Sequence, residues 1–86
     1  MKVCFPRVIR LTERKLGKEQ ALGLCWHGDV PHIELDPRQP AHERLDTLCH
    51  ELGHVILPEM TEQDAVKFGN RIASVLWEDG WRRIHK

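Results

Sequence analysis

No run of about 18 apolar residues, the length that crosses a bilayer, occurs anywhere in the 86 residues. The N-terminus lacks both the apolar stretch and the small-residue cleavage site of a secretory leader. The expectation is a soluble, cytoplasmic protein with no membrane partner. Excess charge is missing too, since 13 basic residues face 13 acidic ones, so no net field draws in nucleic acid. The basic clusters Arg10 to Lys18 and Arg82, Arg83, Lys86 read as solvated surface, and a nucleic-acid partner is not indicated. Cys4, Cys25 and Cys49 are odd in number and widely spaced, which excludes both a disulfide framework and a CxxC zinc knuckle and leaves reduced, partly buried thiols. Internal repeats, low-complexity tracts and linkers are absent, so residues 1–86 read as one small domain, expected as a monomer. A core of this size gives a thin stability margin, which a bound metal would widen.

The β-branched, apolar stretch Val3 to Leu11 predicts a strand, confined to an edge or to a late start by Pro6. Thr12 to Gln20 is charged and reads as a helical turn or solvated loop. Ala21 to His27 and Pro31 to Leu35 predict a hairpin around Gly28, a position needing unusual backbone angles. Pro40 is placed to open a helix and Pro58 to end it. At about 100° per residue, Ala41, Leu45, Leu48, Leu52, Val55 and Ile56 form its apolar stripe. Thr61 offers an N-cap for a second amphipathic helix, Glu62 to Trp77, closed by Gly80. Its predicted inner face holds Ala65, Phe68, Gly69, Ile72, Ala73, Val75 and Leu76. The fold class expected is α+β: a short antiparallel sheet of about three strands packed on two helices.

The first helix carries L-D-T-L-C-H-E-L-G-H, Leu45 to His54. His54 lies about 40° and Glu51 about 100° around the helix from His50, so the three share one sector opposite the apolar stripe. Two imidazoles one turn apart can each bring a nitrogen to about 2.0–2.1 Å from one Zn²⁺. The glutamate between them is then placed to take a proton from a water that the metal acidifies. The sector therefore predicts His50 and His54 as zinc ligands and Glu51 as the catalytic base. Gly53, mid-helix at a cost of about 1 kcal/mol relative to alanine, marks a place where another segment comes close. Asp46 and Thr47 lie near the sector and are candidates to orient the histidines.

A catalytic zinc wants a third protein ligand. Leu57 and Met60 stand where the longer H-E-x-x-H-x-x-G-x-x-H pattern has its glycine and last histidine, so the ligand comes from elsewhere. Glu62 falls inside the apolar stripe of the second helix, where an unpaired carboxylate is costly, and the turn Pro58 to Met60 would return it to His54. Glu62 is the expected third ligand, with Asp64 and then Glu59 as alternatives, and His27, His32 and His42 behind them.

The segments I-E-L-D, L-D-T-L-C-H-E-L-G-H, T-E-Q-D-A-V and V-L-W-E-D-G-W-R between Ile33 and Arg82 resemble small zincin-like metalloproteins of the SprT-like and minimal gluzincin kind, many carried by phages and prophages. The resemblance implies one zinc and metallopeptidase activity on a protein or peptide substrate. The gluzincin pattern places a glutamate on the second helix, matching Glu62 by position. The SprT-like pattern uses a histidine there, and beyond His54 this chain has only His85. A zinc-stabilised module that binds protein or nucleic acid without hydrolysis is the alternative reading.

Overall fold

Pro31 and the turn around Gly28 set the middle of the structure, a computed structural model describing residues 1–84. Gly28 has φ +152°, as the hairpin requires. The turn joins β2 (Gly23–Trp26) to β3 (His32–Leu35) in antiparallel register, Gly23 opposite Leu35 and Trp26 opposite His32. The first strand, β1 (Arg10–Glu13), pairs with β3 on its other side. That pairing is parallel, Arg10 opposite His32, so the three-stranded sheet is mixed, where an all-antiparallel one was expected. A parallel neighbour needs a long crossover, and the segment from Arg14 to Pro31, which contains β2, supplies it.

The strand expected over Val3 to Leu11 starts later and runs further. Arg10 N donates to Pro31 O at 2.9 Å, the first bond to the central strand. The residues before it run as an arm tied to the end of the first helix, Cys4 N donating to Ile56 O at 2.8 Å. All four residues of β1 are exposed.

Beside the sheet lies α1 (Ala41–Ile56), opened at Pro40 and stopped before Pro58. It is followed by α2 (Glu62–Glu78), where the Thr61 hydroxyl accepts from Asp64 N at 3.2 Å. Ile33 and Leu35 of β3 pack with Val55 of α1, and Leu48, Leu52, Ile56, Ile9 and Cys25 close around them. This is the α+β arrangement expected, with Leu48, Leu52, Val55 and Ile56 of the α1 stripe facing the sheet.

The α1–α2 contact is narrower than periodicity suggests. Ala65, Gly69 and Ala73 are buried, one turn apart, whereas Val75 is 66% exposed and Ile72 is also at the surface. Small side chains let the helix backbones approach, and the close approach leaves the flanking apolar residues outside. Gly53 serves the same contact: a Cβ there would stand 2.7 Å from Met60 Cε and 2.9 Å from Phe68 Cδ1. Trp77 is half-buried, stacked on His42 with ring centroids 4.6 Å apart, and Trp81 is exposed.

Leu16, in the link expected to be a solvated turn or loop, is fully buried. Its N–H donates to Asp36 Oδ2 at 2.9 Å, and Asp36 also accepts from Arg38 N, Nε and Nη2. Within the first basic cluster Arg14 is paired with Glu34 and Glu19. In the second cluster Arg83 shares Glu13 with Arg44, while Lys86, like His85, lies outside the described residues. The cysteines are free, Cys49 buried and Cys4 and Cys25 half-buried.

Arg14, helped by the Trp26 N–H, holds the Glu34 carboxyl down from 4.5 to about 2. A lowered folded pKa gives stability that is present above the unfolded value and lost as pH falls through the folded one. In metal-free protein, the melting-temperature advantage of wild type over Glu34→Gln should be full at pH 6 and shrink progressively from about pH 4.5 to pH 2. An advantage unchanged over that window would contradict the assignment.

Candidate metal centre

One turn of α1 places His50 above His54, and the short connection through Pro58 to Met60 reverses the chain so that α2 begins beside them. His50 Nε2 and His54 Nε2 lie 3.1 Å apart. Glu62, in the first turn of α2, reaches both: Oε1 is 2.6 Å from His50 Nε2 and Oε2 is 2.9 Å from His54 Nε2. The two rings and the carboxylate therefore form one triangle of ligand-type atoms, all within 4.8 Å of one another. Three ligands at about 2.0–2.1 Å from a tetrahedral ion stand about 3.3 Å apart. These atoms stand 2.6 to 3.1 Å apart, so the triangle would have to widen by about 0.2 to 0.7 Å to take one. Two neutral imidazoles and one carboxylate are also a donor set that suits zinc.

Glu62 arrives there for a reason other than burial. Its side chain is 68% exposed, against 19% and 20% for His50 and His54. It bridges the rings from the solvent side; it does not sit in the core.

Glu51 points elsewhere from the same turn. It is 8% exposed, under β2, and with Asp36 is one of two buried charged side chains among the described residues. Burial pushes its carboxyl above the usual range, the neighbouring imidazoles of His50 and His54 pull it back, and the Glu62 carboxylate adds to the upward push. The His50, Glu51, His54 and Glu62 side chains line one open cleft of about 460 Å³, with Gly23, Leu24 and Cys25 of β2 along the opposite wall. Among the described residues β2 is an edge strand, paired with β3 on one side, and its outer edge runs along this cleft.

Several other candidates are engaged away from the triangle. Glu59 Oε1 accepts from Lys2 N at 2.9 Å, and Asp64, whose main-chain N–H donates to the capping hydroxyl of Thr61, is outside the triangle. His32 Nε2 lies 2.8 Å from Thr12 Oγ1, and His42 stacks on Trp77. His27 lines the cleft without joining the triangle. Asp46 and Thr47 do not orient the histidines as expected. Asp46 accepts from Asn70 of α2, and the Thr47 hydroxyl donates to Gln39 Oε1. Helical position put them in the right sector, but both side chains find polar partners nearer than the rings.

Sequence reasoning missed Gly69 and Gly23. A Cβ on Gly69 would stand 2.6 Å from the main-chain nitrogen of His50, so the glycine lets α2 cross α1 at the first histidine. The signal was Gly69's place between Ala65 and Ala73 in one small-residue row.

No curated protein and no solved structure matches the chain significantly. A family profile does: the peptidase M78 family, described as the IrrE N-terminal-like domain, matches residues 7–72. That span includes β1 to β3, α1 and the part of α2 that bears Glu62. It agrees with the zincin-type resemblance at the level of a metallopeptidase-type family. The chain belongs to the peptidase M78 family of IrrE N-terminal-like domains.

Proposed function

We propose that the protein is a zinc-dependent metallopeptidase, with His50, His54 and Glu62 holding the metal and Glu51 carrying the proton. The observation that supports this most is the triangle of two Nε2 atoms and one carboxylate beside a buried glutamate, in a cleft bordered by an edge strand.

Zinc, when bound, supplies a Lewis acid that polarises a peptide carbonyl and acidifies water. The chain's own residues do the rest. His50 and His54 present their Nε2 atoms from α1, and Glu62 brings a carboxylate from α2. Glu51, whose burial makes it a stronger base than a solvated glutamate, accepts a proton from the attacking water on its carboxylate and returns it to the leaving amine. The outer edge of β2 holds an extended peptide by main-chain hydrogen bonds, alongside the cleft. A protein or peptide is thus the substrate class.

Glu51→Gln tests this. It keeps shape and removes the base, so hydrolysis of a quenched fluorescent peptide pool should fall about 10²–10⁴-fold while zinc content stays at the wild-type level. Equal hydrolysis by zinc-loaded Glu51→Gln would exclude the mechanism.

A further inference from the structure

Gly23 opens β2 at the wall of the cleft. A Cβ there would stand 2.6 Å from Thr47 Cγ2 and 3.2 Å from both Cγ and Oε2 of Glu51. The described glycines with positive φ are Gly28 and Gly80, so the backbone at Gly23 does not itself require glycine. What requires it is space: the strand lies against the two α1 side chains with no room for a methyl group.

The strand is also held at that distance. Leu22 O, one residue earlier, accepts from Asp36 N at 2.9 Å and from Gln39 Nε2 at 3.0 Å. Gln39 Nε2 donates again to Asp36 O at 3.0 Å, and its Oε1 accepts from the Thr47 hydroxyl at 2.6 Å. A continuous tie therefore runs from α1 through the Gln39 amide to the start of β2. The same threonine fixes the strand through its hydroxyl and abuts it through its methyl.

We infer that Gly23 is a positioning residue for Glu51: the absent side chain is the space in which the carboxylate stands, and the Thr47–Gln39–Leu22 tie keeps that space constant. The inference builds on the reading of Glu51 as the proton carrier and adds what sets its position. A larger residue at 23 would push Glu51 along the cleft without touching His50, His54 or Glu62.

The test uses Gly23→Ala, Thr47→Ser and the double variant in the full chain. Thr47→Ser deletes Cγ2 and keeps the hydroxyl for Gln39, so it relieves the closest clash and leaves the one with Glu51. Gly23→Ala should lower the melting temperature, and adding Thr47→Ser should restore at least half of the loss. In the refitted double variant, NMR of the metal-free protein should show the Glu51 side-chain resonances shifted relative to Thr47→Ser alone, with the His50 and His54 ring resonances unmoved. Zinc-loaded double variant should lose about 10²-fold in kcat on the peptide pool with KM and zinc content unchanged. Glu51 resonances identical in the double variant and in Thr47→Ser would overturn the inference. The NMR comparison needs neither metal nor turnover, so its result stands even if Glu51→Gln proves fully active and the hydrolytic reading fails.

Discussion

Gly69→Ala is expected to lower the melting temperature by about 12 °C or more. In an ordinary helix interior the same change stabilises by about 1 kcal/mol, because alanine has less chain entropy to lose. Here the added carbon would stand 2.6, 2.8 and 3.0 Å from N, Cα and Cβ of His50. The obstruction is mostly main chain inside a helix, which cannot rotate away as a side chain can. Overpacking of this kind costs about 3 kcal/mol at the upper end of its usual range, and each kcal/mol is worth about 4–8 °C in a domain of this size. The nearest atom to a Cβ on Gly17 is the Arg38 Nη2 end at 3.4 Å, so Gly17→Ala is the matched control and should change little. Thermal melting followed by circular dichroism reads both. Equal melting temperatures for the two variants would mean that the helices do not cross as tightly as described.

Chelation should have an effect of similar size. A ligand present at a thousand times its dissociation constant stabilises the state that binds it by about 4 kcal/mol, which is about 16 °C or more here. Glu62 joins the first turn of α2 to two residues of α1, so a metal there ties the helical hairpin across its closed end. Wild-type protein should therefore melt lower in excess chelator. Glu62→Ala should melt near the chelated wild type and be insensitive to chelator. A wild-type melting temperature indifferent to chelator would remove the metal from the stability account.

The parts of the molecule that were legible in the sequence are those carried by local chemistry. Pro40, Pro58 and Thr61 bracket the helices, and the 3.6-residue period of Leu45, Leu48, Leu52 and Val55 names the face that meets the sheet. The histidines are readable for the same reason, because two residues four apart on a helix must share a side. The nearness of Glu62 to the histidines follows from the short turn Pro58 to Met60, whereas burial does not explain it: its side chain is 68% exposed and meets the rings from solvent, and no periodicity reports which exposed acid reaches two histidines. Leu16 was hidden because its partner Asp36 comes from a distant segment and a charged link carries no period. The parallel pairing of β1 was hidden likewise, since four exposed residues leave no alternation to read. Val75 illustrates a different limit, an apolar residue at a helical period whose face is left open once Ala65, Gly69 and Ala73 bring the backbones together.

The most direct test of the central claim is the metal content of tag-free protein, by native mass spectrometry, for wild type, His54→Ala and Glu62→Ala. About one zinc per wild-type chain, lost or sharply reduced in both variants, is the predicted result. A wild-type chain that takes up no zinc, or one whose zinc survives both substitutions, would contradict the site built from His50, His54 and Glu62.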